Sequence, residues 1–143
     1  MKDVPINTTL IEDRLREIRN DIKELSIFQG MSLEEFSKGQ NFAIAEHYLR
    51  RALQAFIDIT THILSRSTGP KPTGYKEAVL LLGELKVVPK EFAKDVLTKM
   101  AGYRNRLIHL YHEITRAELF DIIQNNLSDL EKFCKYIVDY ISR

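Results

Sequence analysis

Residues 102–113 concentrate side chains that can bind phosphate and move protons: Tyr103, Arg104, Asn105, Arg106, His109, Tyr111 and His112. An arginine carries a permanent charge on a planar fork that matches phosphate oxygens. A histidine titrates near neutral pH and can accept or donate a proton. Cleavage of RNA without a metal needs such groups: a base for the 2′-OH proton, a cation for the phosphate and an acid for the leaving oxygen. This stretch is therefore the first candidate for a site.

Helical geometry limits how these groups could meet. At about 100° per residue, Asn105, His109 and His112 share one face, whereas Arg104 and His109 lie about 140° apart. Arg104 and His109 converge only if the arginine reaches round, if the helix unwinds near His109, or if a second subunit supplies the complementary group. The break expected before Thr115 favours unwinding, and a two-fold dimer would bring two copies together.

Two other interpretations of this stretch stay open. His109 and His112 are three residues apart with Glu113 adjacent, which is an incomplete ligand set, so we expect no metal site. Arg104, Arg106 and the histidines could also form a polar helix end, where cations are favoured by the helix dipole.

Titratable residues elsewhere indicate less. His47 and His62 are isolated histidines that we expect to be solvated or hydrogen-bonded, and Arg50 and Arg51 are expected on a solvated face. Cys134 is the sole cysteine of the chain, so there is no disulfide framework and a reducing cytoplasm is the natural location.

The bulk numbers predict one domain over residues 1–143, since 143 residues suffice for one core. The net charge of +1, from 21 basic and 20 acidic residues, indicates no broad basic face for nucleic acid. The polar start predicts no signal peptide, and no apolar run is long enough to cross a membrane.

Apolar spacing predicts helices and no strands. The first begins with a cap at Thr8 or Thr9 and ends near Gly30, and a capping box at 32–35 opens a short helical turn. The others cover residues 41–65, 75–85, 89 to the candidate stretch (with Pro89 at the first helical position) and the segment that follows a second capping box, formed by Thr115 and Glu118. The predicted fold is all-α, an up-and-down bundle of four to five helices.

The run from Arg104 to Tyr111 resembles the R-x4-H-x-Y motif of HepT-like ribonuclease toxins, which belong to the HEPN superfamily of small helical proteins. The resemblance extends over nearly the whole chain, including residues 52–63, the Gly-Pro loop at 69–74 and residues 82–88. It implies a homodimer with two motifs facing each other across a cleft, and a metal-independent endoribonuclease without a cofactor. By that likeness Arg104 and His109 are the catalytic pair, and Asn105 assists in positioning.

The resemblance also implies a partner, a minimal nucleotidyltransferase antitoxin that attaches AMP to the motif tyrosine, here Tyr111. The alternatives are a non-catalytic nucleotide- or partner-binding subunit of a nucleotidyltransferase complex and a purely structural helical dimer. Arg106 and His112 receive no role from the resemblance.

Overall fold

Every regular element is helical in the computed structural model, which describes residues 5–109 and 114–143. The all-α prediction is confirmed. In chain order the elements are α1 (Thr8–Ser26), a 3-10 turn (Ile27–Gly30), α2 (Leu33–Phe36), α3 (Asn41–Ser65), α4 (Tyr75–Glu84), α5 (Lys90–Phe92), a π-helical turn (Ala93–Leu97), α6 (Thr98–Ile108) and α7 (Arg116–Ile141). The segment from α5 through α6 runs as one helical stretch.

The N-terminal caps follow the sequence signals with two corrections. The predicted cap at Thr8 or Thr9 is wrong, because the side chain of Asn7 accepts the hydrogen bond from the Leu10 N–H at 3.1 Å. Pro89 lies one position before the first helical residue, which is Lys90. Ser32 and Glu35 form the complete capping box at α2, as predicted.

The core is a single cluster of buried side chains, to which α1, α3, α4, α6 and α7 all contribute. α1 packs along α3, and α7 contacts both of them. The rings of Phe56 and Phe133 meet edge to face with centroids 4.9 Å apart, and both side chains are fully buried. Burying a side chain of this size contributes about 1.5–3 kcal/mol, so the two rings stabilise the packing of α7 against α3.

Helices α4 and α6 also pack against α3, and residues of these three helices form the candidate site. A β-carbon at Gly83 would lie 3.1 Å from both the Ala93 β-carbon and the Lys90 α-carbon. Glycine at this position lets the end of α4 pack tightly against the start of the next helical stretch. Lys86 turns the chain between them in the left-handed conformation, with φ of 60°.

Within residues 5–109 and 114–143, no helix is both long enough and apolar enough to span a membrane.

Candidate functional site

Arg104 projects from α6 into a set of three contacts, which we call the Arg104 cradle: Gln54, Tyr75 and Asn105. The guanidinium donates to the amide oxygen of Gln54 from Nε at 3.3 Å and from Nη2 at 3.1 Å. Its carbon lies 4.4 Å from the centroid of the Tyr75 ring, and Nη1 is 3.4 Å from Oδ1 of Asn105. Side chains from α3, α4 and α6 therefore hold the guanidinium, and Asn105, the predicted supporting residue, lies beside it.

A second row of contacts lies behind the cradle. Nε2 of Gln54 donates to Oδ1 of Asp58 at 2.9 Å, one turn further along α3. The other carboxylate oxygen of Asp58 accepts from Nε of Arg14 at 3.0 Å, which links α3 to α1. These side chains are half-buried, so the chain of contacts from Arg14 to Arg104 is partly shielded from solvent.

His109 is the residue at which α6 ends. Its backbone is extended, with φ of −85° and ψ of 120°, and its N–H donates to the carbonyl of Asn105 at 3.1 Å. The side chain is exposed. One of the three conditions considered for the approach of Arg104 and His109 is thus present, because α6 ends at His109. The described side-chain contacts of Arg104 are with Gln54, Asn105 and Tyr75.

A cavity of about 220 Å³ opens beside His109, and we call it the His109 cavity. Its described lining residues come from the first half of α3, the end of α6 and the chain before α7: Phe42, Glu46, Arg50, Arg106, Leu107, His109 and Ile114. Within it Glu46 and Arg50 form an ion pair at 2.5 Å. The cavity thus combines an aromatic ring, a carboxylate, arginines and the exposed imidazole.

Arg106, which had no expected role, joins α6 to α7 through an ion pair with Glu118. Two guanidinium nitrogens donate to the two carboxylate oxygens of Glu118. The hydrogen bond to Arg106 lowers the pKa of Glu118, and the same bond raises the pKa of Arg106. The sequence suggested that Glu118 closes a capping box with Thr115. The hydroxyl of Thr115 does cap α7, while the Glu118 carboxylate binds Arg106.

The Arg104 cradle and the His109 cavity lie along one ridge of α3, whose residues recur every four positions: Phe42, Glu46, Arg50, Gln54 and Asp58. Residues with this spacing lie above one another on a helix surface. Sequence reasoning missed Gln54, Asp58 and Tyr75. The available signal was the recurrence of polar residues every four positions, at Glu46, Arg50, Gln54 and Asp58, along one face of the helix.

The titratable residues of α3 outside the candidate stretch lie as the sequence predicted. Arg50 and Arg51 are exposed, as predicted, and Arg51 pairs with Glu17 at 3.2 Å. His62 is hydrogen-bonded, as expected, accepting from the Asn7 N–H at 3.0 Å, and burial lowers its pKa.

The predicted roles at Tyr111 and the unassigned His112 lie outside the described residues. In the part of the chain that the structure describes, no three His, Cys, Asp or Glu side chains group as metal ligands do. The sole cysteine, Cys134, is buried in α7, and burial raises the pKa of its thiol to about 12.

Fold and site together define a class: a small helical protein that presents an arginine and a histidine at the end of one helix. The profile of the ribonuclease HepT-like family matches residues 15–137, and the chain belongs to that family. The family resemblance read from the sequence is therefore confirmed.

Individual relatives agree with this assignment. The tRNA nuclease HepT of Aphanizomenon flos-aquae is 32% identical over 137 residues, covering 95% of this chain and 92% of the relative. The mRNA nuclease HepT of Shewanella oneidensis is 30% identical over 89 residues, covering 62% of this chain and 66% of the relative.

A solved structure of a tri-AMPylated HEPN toxin from Shewanella oneidensis, in complex with an MNT antitoxin, has the same fold. Its TM-score is 0.79 at 25% identity, and the match covers 91% of this chain and 97% of the other.

Proposed function

We propose that this chain is the RNA-cleaving toxin of a toxin–antitoxin pair, acting as a homodimer through Arg104 and His109. The observation that carries the proposal is the geometry at the end of α6. Arg104 is held in a defined cradle, and the helix ends so that His109 stands exposed beside a cavity. Membership of the ribonuclease HepT-like family and the nuclease names of its relatives support this choice.

In the proposed reaction Arg104 binds the scissile phosphate and stabilises its extra negative charge in the transition state. The 2′-oxygen of the ribose attacks the adjacent phosphorus as its proton passes to a base. The bond from phosphorus to the 5′-oxygen breaks, and that oxygen takes a proton from an acid. His109 serves as the base or the acid, and Asn105 keeps Arg104 in place. Arginine and histidine supply both the charge and the proton transfer, so we propose that cleavage needs no metal.

The proposed partner is a nucleotidyltransferase antitoxin that neutralises the toxin by attaching AMP to Tyr111. A nucleotide at this position, two residues from His109, would add bulk and negative charge near the site. The tri-AMPylated relative bound to its antitoxin supports the proposal. Intact-mass measurement of the protein made with and without the antitoxin tests it. We expect mass increments of AMP that map to Tyr111 and are absent in Tyr111→Phe, and unmodified protein would contradict the proposal.

Growth of cells that express the chain without its antitoxin tests the toxin function. We expect growth arrest with the wild-type protein and normal growth with His109→Ala at equal protein level. His47→Ala is the matched control, because His47 is an exposed histidine of α3 that is not among the described residues lining the His109 cavity, and it should still arrest growth. Equal arrest by wild type and His109→Ala would contradict the proposed site.

The second candidate is a non-catalytic subunit that binds a nucleotide or the nucleotidyltransferase. The net charge of +1 favours it, because RNA-binding domains usually carry a basic surface. This candidate predicts a stable complex with the nucleotidyltransferase and intact RNA after long incubation with the free protein.

A further inference from the structure

Among the described residues, Gln54 accepts the two shortest side-chain hydrogen bonds of Arg104, although it lies 50 positions earlier in the chain. One amide oxygen accepts two hydrogen bonds, from Nε and Nη2, which fixes the direction in which the guanidinium fork points. The Tyr75 ring lies 4.4 Å from the guanidinium carbon and limits tilting of the plane. The remaining edge of the fork carries Nη1, next to Asn105.

Asp58 determines which end of the Gln54 amide faces Arg104. An ionised carboxylate only accepts hydrogen bonds, so the amide must turn its NH₂ group toward Asp58, where the distance is 2.9 Å. The amide oxygen then faces the guanidinium. Arg14 holds Asp58 from the other side at 3.0 Å and balances its charge. Each donor therefore faces an acceptor along the chain of contacts that runs from Arg14 through Asp58 and Gln54 to Arg104.

The contacts of Arg104 in the described part of the chain share one electrostatic property, which is that Gln54, Tyr75 and Asn105 are uncharged. A carboxylate in place of Gln54 would hold the guanidinium equally well but would offset its positive charge. A neutral acceptor keeps the position fixed and leaves the charge for a bound phosphate.

We infer that Gln54, oriented by Asp58, is the positioning residue that holds Arg104 ready for phosphate. This inference rests on the proposed function of Arg104. It adds α3 to the catalytic arrangement and gives the polar Gln54–Asp58 pair of that helix a purpose. Gln54 acts through Arg104 and does not itself touch the reacting atoms.

Steady-state cleavage of an RNA oligonucleotide by the purified, antitoxin-free protein tests the inference through two substitutions with opposite defects. Gln54→Leu keeps the charge of Arg104 but releases its fork, so kcat should fall about 10- to 100-fold while KM changes less than about threefold. Gln54→Glu keeps the contact but offsets the charge, so KM should rise together with the fall in kcat. Gln124→Leu is the matched control, since Gln124 is also half-buried and donates to the carbonyl of Phe28, which is not part of the Arg104 cradle. It should cleave at the wild-type rate.

A double-mutant cycle separates positioning from general damage to the fold. If Gln54 acts through Arg104, then adding Gln54→Leu to Arg104→Ala should not lower the cleavage rate further. The single-turnover cleavage rates of Arg104→Ala and of the double variant test this. An additional loss equal to that in the wild-type background, or wild-type kcat in Gln54→Leu, overturns the inference and leaves the proposed function intact. Wild-type cleavage by Arg104→Ala would instead overturn the proposed site and the inference with it.

Discussion

The two halves of the candidate site are built in different ways. The guanidinium of Arg104 is surrounded by side chains from α3, α4 and α6, and it is half-buried. The imidazole of His109 is exposed at the residue where α6 stops, beside a cavity of about 220 Å³. The arginine side is held by contacts between side chains, and the histidine side is determined by where a helix ends.

This difference matches what each group would have to do. A charge that stabilises a transition state is effective when it is already in position, because reorganisation then costs nothing during the reaction. A group that transfers protons to and from a bound substrate must be reachable by that substrate. Substitutions in the Arg104 cradle should therefore change the rate with little change in stability, whereas substitutions that anchor the end of α6 should mainly change stability.

The largest expected effect in the cradle comes from Arg104→Ala, which should lower the single-turnover cleavage rate by about 10²–10³-fold. Arg143→Ala is the matched control, because Arg143 also lies over an aromatic ring, that of Tyr140 at 5.5 Å. It should keep the rate within about threefold, since Arg143 is exposed and belongs neither to the cradle nor to the described lining of the His109 cavity. Equal losses of cleavage rate in the two variants would indicate a general effect of positive charge, and Arg104 would then have no special role.

Tyr75 offers a smaller and more selective test of the cradle. Tyr75→Ala removes the ring beneath Arg104, and a cation–π contact of about 0.5–2 kcal/mol corresponds to a rate loss of about 2- to 30-fold. Tyr75→Phe keeps the ring and should cleave as the wild type does. A loss in Tyr75→Phe as large as in Tyr75→Ala would show that the hydroxyl, and not the ring face, is what matters.

The smallest effect is expected on the other side, at the ion pair between Arg106 and Glu118. Both side chains are about a third exposed, at 39% and 32%, so Glu118→Gln should lower the free energy of unfolding by only about 0.5–1 kcal/mol at pH 7. Urea unfolding of both proteins measures the difference.

The pH dependence of that difference has a defined sign. The pKa of Glu118 is lowered in the folded protein, so its stabilising contribution is present above the unfolded-state pKa of about 4.5 and is lost as the pH falls through the folded-state value. The gap between wild type and Glu118→Gln should therefore close in acid. A gap that stays constant down to pH 3 would contradict the role of this ion pair.

The sequence was sufficient where structure depends on local patterns. The apolar spacing of α3 gave its bounds at Asn41 and Ser65, and the Thr115 signal correctly placed a helix break before α7. Thr115 caps α7, so α6 has to end before it. The end of α6 near His109 could therefore be anticipated from residues close in sequence. Local signals also compete, and this explains why Asn7 took the cap expected at Thr8 or Thr9.

The cradle could not be anticipated in this way because it depends on packing. Gln54 and Arg104 meet only because α3 and α6 lie side by side, and Tyr75 reaches Arg104 only because α4 starts next to them. Glu118 satisfied a capping pattern in the sequence, yet Arg106 offered its carboxylate a charged partner in space. Tertiary contacts determine which partner such a side chain binds, and the spacing of residues in the sequence does not predict those contacts.

The most direct test of the account is the single-turnover rate at which the purified, antitoxin-free protein cleaves RNA in the presence of EDTA. We predict cleavage by the wild type and by His47→Ala at rates within about twofold of each other, and a rate about 10²–10⁴-fold lower for His109→Ala. Equal cleavage by the wild type and His109→Ala would contradict the assignment of the chemistry to the end of α6.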